Sequence, residues 1–215
     1  LEMVKAHLRS ISNWILSILL TVVSSFSLAA HPNSKVLVTD MMDDDIRAVL
    51  NLLLDPNVRD SIKAIVVTSG NAAIKAAVAK KLVAGLGLEI PVYIGKSSDL
   101  SANDTTSFAA NYELEGLGIL TESEIAQIKK KKVAAGSGAE SLHRIFKAVQ
   151  KSNAKIDVLL ITAPTDLVKA IKIDPEVAKG AIGDVFTMGL YKVSANGELI
   201  APYNTMVDPS SVFTL

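Results

Sequence analysis

The chain has 215 residues, with 22 Lys+Arg against 22 Asp+Glu and no cysteine. The balanced charge gives no electrostatic case for nucleic acid or an anionic membrane as partner, and the absence of cysteine excludes a disulfide framework and a lipid-bearing cysteine. With 49% hydrophobic but only 5% aromatic residues, aliphatic side chains must build the core, and the length suits one α/β domain.

The chain opens as an export signal. Lys5 and Arg9 are basic, Trp14 to Val23 is apolar, and Ser27-Leu28-Ala29 offers small residues for cleavage before Ala30. This predicts a signal peptide over 1–29 and an exported domain, secreted or periplasmic, over 30–215. An uncleaved anchor is the alternative, although the apolar run is short for a membrane span.

Val36 to Val38 reads as a short strand buried on both faces. Ile46, Val49, Leu50 and Leu53 then fall at helical spacing. Between them Asp40, Asp43, Asp44 and Asp45 crowd the carboxyl end of the strand, where open α/β sheets bind their ligands. Capping and the helix dipole account for Asp43 and for Asp44 or Asp45. They do not account for Asp40. Like charges this close call for a cation, and no Lys or Arg occurs from Val36 to Ile46. The inferred cation is a metal, and oxygen-only ligands point to a hard ion, Ca²⁺ or Mg²⁺.

Ile62 to Val67 is a second buried strand and Ala72 to Leu86 a helix ended by glycines. Pro91 to Ile94 is a third strand, and Lys96 to Ala110 a long polar loop. Thr121 and Glu124 form a capping box before a helix running into Lys129 to Lys132, read as a solvated end. Ala139 to Lys151 is amphipathic through Leu142, Ile145, Phe146 and Val149. Ile156 to Ile161 is a fourth strand, followed by a helix through Ile171 that Thr165 or Asp166 can cap. Ile182 to Met188 is a fifth strand. Tyr191 to Tyr203 reads as a hairpin around Asn196-Gly197, and Asp208-Pro209 as a cap and first helical residue. Such alternation predicts an open, mostly parallel sheet flanked by helices.

These strand ends resemble the calcium-dependent nucleoside hydrolases of the inosine/uridine type. The family opens Asp-x-Asp-x-Gly-x-Asp-Asp-Ala, where this chain reads Val38-Thr39-Asp40-Met41-Met42-Asp43-Asp44-Asp45-Ile46. Gly70-Asn71 matches the Gly-Asn after the family's second strand, and Gly116-Leu117-Gly118 a later Gly-Leu-Gly. Thr162-Ala163-Pro164-Thr165-Asp166 resembles Thr-Gly-Pro-Leu-Thr-Asn, one residue shorter. Met188-Gly189-Leu190, Asn196, Pro202-Tyr203-Asn204 and Asp208-Pro209 resemble the family's later Met-Gly-Gly, Asn, Glu-Phe-Asn and Asp-Pro.

The resemblance implies cleavage of ribonucleosides to ribose and free base by a Ca²⁺-bound water. It makes Asp40 and Asp45 metal ligands, with the Thr162 carbonyl as another, and Asp40 the general base. Asp44 and Asn71 would hold ribose hydroxyls, and Asn196 and Asn204 would line the ribose pocket. Asn71 and Asn204 each have an alternative as turn residues, and for Asn196, in an Asn-Gly turn, that alternative weighs as much as the ribose role. Val38 replaces the first aspartate, Met41-Met42 the family's Pro-Gly, Pro202 its ribose-contacting glutamate, and Tyr112 the histidine before Gly-Leu-Gly. The family's C-terminal His-Asp pair has no counterpart before Leu215. The sequence reading therefore expects an incomplete domain, weak metal binding, slow or absent turnover by these 215 residues, and uncovered apolar surface that invites a homo-oligomer. Two rivals stand beside it. One is an inactive relative that binds a nucleoside, a pentose or only a metal. The other is a phosphotransferase with Asp40 as nucleophile, in which Met42 stands where a second aspartate belongs.

Overall fold

The computed structural model describes residues 33–68, 71–95, 118–130, 138–188, 192–193, 195–200, 204–205 and 208–212. Five strands, β1 (Ser34–Thr39), β2 (Ile62–Val67), β3 (Val92–Ile94), β4 (Ile156–Leu160) and β5 (Ile182–Thr187), form one sheet in the order β3-β2-β1-β4-β5. Every neighbouring pair in it is parallel, with Val38 opposite Val66 on one side and Leu160 on the other. The chain enters at the centre, winds outward through β2 and β3, and returns to lay β4 on the other flank of β1. Crossovers leave β1 and β4 in opposite directions, which opens a crevice at their carboxyl ends.

Helices cover both faces, as parallel strands require. Leu37, Ile65 and Val67 pack with α1 (Asp43–Leu54), α3 (Ala72–Gly85) and α4 (Glu122–Lys130) through Val49, Leu53, Val78, Val83 and Ile125. Val36, Val38, Val66, Val158 and Leu160 face α5 (Gly138–Lys151), α6 (Thr165–Ile173) and α7 (Pro175–Ala181) through Leu142, Phe146, Leu167 and Val177. Alternate residues of β1 thus enter opposite layers, the period-two rule at work in a fully covered strand.

The five predicted strands and the helices after β1 and β2 stand where the sequence puts them. Thr121 and Glu124 form the expected box: the Glu124 carboxylate accepts the Thr121 N–H at 2.6 Å, and the Thr121 hydroxyl accepts the Glu124 N–H at 3.3 Å. The hairpin joins β6 (Lys192–Val193) to β7 (Leu199–Ile200), with Gly197 at φ +86°. Asp208 caps α8 (Pro209–Val212) by accepting the Ser211 N–H at 3.1 Å.

Three local readings change. Neither Thr165 nor Asp166 caps α6; Pro164 is its N-cap and makes no side-chain cap bond. Thr165 instead donates its hydroxyl to Asp208, and Asp166 is fully buried, with Gly95 and Gly138 leaving it room. That helix continues to Ile173, and α7 follows, capped by Asp174 through the Val177 N–H at 3.1 Å. A one-turn helix, α2 (Pro56–Arg59), follows the Asp55-Pro56 break, with Asp55 accepting the Asn57 N–H. The export signal, the 96–110 loop and Tyr112 lie outside the described residues.

Candidate functional site

The site forms where β1 stops. The Thr68 N–H donates to the Thr39 carbonyl and the Ile161 N–H to the Val38 carbonyl, both at 2.9 Å, so the ends of β2, β1 and β4 are laced side by side. Past Thr39 the chain turns sharply through Met41, whose φ of +51° is left-handed and unusual for a side chain of this bulk. The turn is therefore tight here too, but the left-handed residue is Met41, one place before the family's glycine, and its side chain is fully buried.

Asp45 fastens this turn from the first turn of α1. One of its oxygens accepts the Thr39 hydroxyl, the Asp40 N–H at 3.0 Å and the Met41 N–H at 3.2 Å. The Asp40 carboxylate accepts the Met42 N–H at 3.2 Å on one oxygen and the Thr162 hydroxyl at 3.4 Å on the other. Asp40, Asp45 and Thr162 are all buried, at 7%, 3% and 4% exposure. Asp43 and Asp44 are exposed on the first turn of α1, where the dipole favours them. The N-cap itself is Met42, without a side-chain bond, so no aspartate caps this helix.

The metal ligands and base expected from sequence are thus neighbours: Asp40 and Asp45 from one turn, Thr162 from the end of β4. Asn204 joins them loosely, its side-chain amide 3.5 Å from the Ile161 carbonyl. Asn71 begins α3 in the left-handed region at φ +56° and spends no side-chain bond on the cap, which fits its turn-residue reading and leaves the amide for other work. Asn196 is exposed in the hairpin turn, on the separate two-stranded sheet.

Electrostatics sets this corner apart. Burial first, and the charge of Asp40 next, push the Asp45 carboxyl up to about 8, with Asp44 adding to the effect and the Thr39 hydroxyl opposing it. The described residues do contain a cation here, which the sequence reading missed. Lys75, on the first turn of α3, is only 4% exposed. Burial lowers its pKa, and the charges of Asp40 and Asp45 pull it back up. A signal existed: Lys75 lies three residues after Ala72 and three and four before Val78 and Ala79, on a stripe that is otherwise buried and apolar. Thr39 was also missed, because a β-branched residue at a strand end reads as ordinary strand.

A five-stranded parallel sheet covered by helices, with an acidic corner at its switch point, defines the class, an open-sheet α/β protein. The model of the inosine-uridine preferring nucleoside hydrolase family matches residues 36–214, and the chain belongs to that family. No curated protein matches it. Among solved structures, a plant nucleoside hydrolase superposes with a TM-score of 0.62 at 21% identity, over 85% of this chain and 56% of that one. An inosine-uridine preferring nucleoside hydrolase from Bacillus anthracis gives 0.60 at 19%, over 85% and 60%. The type III effector protein XopQ, complexed with adenosine diphosphate ribose, gives 0.59 at 18%, over 91% and 58%. The chain thus spans somewhat over half the length of these relatives.

The family is one of metal-dependent hydrolases. The donor set fits a hard cation: the side chains of Thr39, Asp40, Asp45 and Thr162 at this corner all offer oxygen. Among the described residues no three His, Asp or Glu side chains are grouped to hold a metal alone. Thr162, whose hydroxyl donates to Asp40 at 3.4 Å, lies beside the two carboxylates.

Proposed function

We propose that this chain is the ribose- and metal-binding part of a nucleoside hydrolase that splits ribonucleosides into ribose and free base with Ca²⁺ as its metal. The observation that carries this reading is the meeting of Asp40, after β1, with Thr162, after β4, at the switch point of the sheet. Asp40, Asp45 and the Thr162 carbonyl would hold the ion. When bound, it would make water more acidic and orient vicinal hydroxyls. Asp40 takes the proton of the attacking water as the C1′–N bond opens and the electron pair leaves with the base. Carboxylates around the sugar offset the positive charge that develops on it. Asp44 and Asn71 hold ribose hydroxyls, and Asn196 and Asn204 line the pocket.

The test is ribose release from inosine and uridine, with Ca²⁺ or a chelator, by the chain and by Asp40→Asn. We expect slow release that needs both the ion and Asp40. Fast turnover by Asp40→Asn would refute the assignment of the base. A second reading, binding without hydrolysis, is favoured by the likeness to an effector complexed with adenosine diphosphate ribose. Tight calorimetric binding of inosine or that ligand, with no ribose released, would decide for it.

The proposal extends to export and assembly. Lys5, Arg9 and the apolar run to Val23 support cleavage before Ala30, and among the described residues no helix is long and apolar enough to cross a membrane. Val185 on the edge strand β5 and Met188 just past its end, 37% and 60% exposed, support self-association, measurable by sedimentation.

A further inference from the structure

Thr162 is bracketed by bonds from far along the chain. The Ile161 carbonyl, just before it, accepts the Asn204 side-chain amide at 3.5 Å, and Thr165, just after the Ala163-Pro164 pair, donates its hydroxyl to Asp208 at 2.5 Å. Thr165 is buried to 4% exposure, so its hydroxyl needs a partner inside the protein. The partner it takes is a carboxylate that divides its bonds by oxygen. Oδ1 accepts the Ser211 N–H at 3.1 Å and the Ser210 hydroxyl at 2.8 Å, which caps α8. Oδ2 accepts the Ser211 hydroxyl at 2.7 Å and reaches across to Thr165 at the start of α6. Partial burial raises the Asp208 pKa, but the hydroxyls of Thr165, Ser211 and Ser210 and the Ser211 N–H outweigh it and hold the group at about 2. The carboxylate is therefore charged at neutral pH, and hydrogen bonds to a charged group are roughly twice as strong as neutral ones. The link between Thr162 and Asp40, at 3.4 Å, is long by comparison. Where Thr162 stands thus depends on what fixes the loop that carries it.

Resting on the reading of Asp40 and Thr162 as metal-binding groups, we propose that Asp208 is a positioning residue: through Thr165 it clasps the 162–166 loop to the start of α8 and so sets where Thr162 stands relative to Asp40. Capping a four-residue helix uses one oxygen of Asp208; the other ties that helix to the site.

The experiment compares the 215-residue chain with Thr165→Val, which removes the hydroxyl at nearly constant shape and leaves the α8 cap in place, and with Thr165→Ser, which keeps the hydroxyl. In Ca²⁺ titration by calorimetry Thr165→Val should bind about tenfold or more weakly, the usual cost of losing a group that orients a metal ligand, while Thr165→Ser stays close to the parent. Ser210→Ala takes a bond from the same carboxylate but spares the clasp, and should also stay close. Equal affinity in Thr165→Val and the parent, or an equal loss in Ser210→Ala, would overturn the positioning role. Should Thr165→Val not fold, Asp208→Ala, at the half-buried partner, carries the same expectation. Backbone hydrogen exchange in chelator tests the clasp without metal. Thr165→Val should speed exchange several-fold in peptides spanning 161–168 and leave those of β1 and β2 unchanged. No change, or a uniform rise across the sheet, would overturn the clasp. No heat from the parent would remove the calcium reading, and the exchange result would then decide the clasp alone.

Discussion

The two ends of β1 carry similar chemistry put to different use. At the amino end, Lys35 is buried, and its ammonium donates to the Asn33 carbonyl at 3.0 Å. Burial lowers its pKa while the charge of Asp157 raises it. Asp157, fully buried on β4, accepts the Asn33 amide at 2.9 Å and the Asp184 N–H at 3.0 Å. One cation faces one carboxylate, and neutral donors complete the arrangement. At the carboxyl end, one buried lysine feels the charges of Asp40 and Asp45, and Asp44 adds to the effect on Asp45. The first end is neutral. The second crowds two carboxylates, one of which, Asp45, is pushed up to about 8, and a group perturbed this far marks a place for a ligand. Burial of charge alone does not mark function; two crowded carboxylates do.

The largest expected effect separates activity from stability. Asp40→Asn keeps the acceptor for the Met42 N–H and should lower any ribose release by about 10²–10⁴-fold, the usual contribution of a general base, with little change in the melting temperature. If activity persisted, the crowding at the carboxyl end would be structural after all.

The same kind of change at the amino end should act on stability alone. Asp157→Ala leaves Lys35 buried without its countercharge and should cost on the order of 3 kcal/mol in urea unfolding. Gly183→Ala reaches the same carboxylate by crowding. A Cβ there would stand 2.5 Å from the Asp157 oxygen and 2.7 Å from the Asn33 amide, and overpacking of this sort costs about 1–3 kcal/mol. Loss of calcium response in either folded variant would mean that the two ends are coupled.

The pH dependence should distinguish the ends as well. Folded Asp45 holds its proton up to about 8, far above the ordinary value of 3.8, so the folded state binds the proton more tightly than the unfolded one. Metal-free stability should therefore fall as pH rises between those values. Asp45→Asn should flatten this fall between pH 5 and 8, as read from melting temperatures in chelator, and added Ca²⁺ should flatten it in the parent. An equally steep fall in Asp45→Asn would assign it to another group.

The smallest effect is a control remote from both ends. The Thr121 N–H, then the Lys81 ammonium at 2.9 Å, hold the exposed Glu124 at about 2, below its ordinary 4.5. Its contribution is present above the ordinary value and fades as pH falls towards 2, so Glu124→Gln should lower the melting temperature slightly at pH 7 and not at pH 2.

Among the described residues, local pattern determined most of the fold. Short β-branched runs gave the strands of the main sheet, because strands covered on both faces need only to be apolar throughout. The Asn-Gly turn, the capping box and Asp208-Pro209 were legible because their bonds close within four residues. Asp40 and Asp45 were legible because one turn holds both. What local pattern could not decide was who meets whom. Thr165 and Asp166 looked like caps, but Asp208, across 43 residues, claims the first, and burial beside Gly95 and Gly138 claims the second. Lys75 is the plainest case. Within its own helix it is a lysine on an apolar stripe, and only the parallel pairing of β1 with β2 brings it to Asp40 and Asp45. Charge acts through space, so the sequence determined the carboxylates and the tertiary structure alone decided which cation feels their charge.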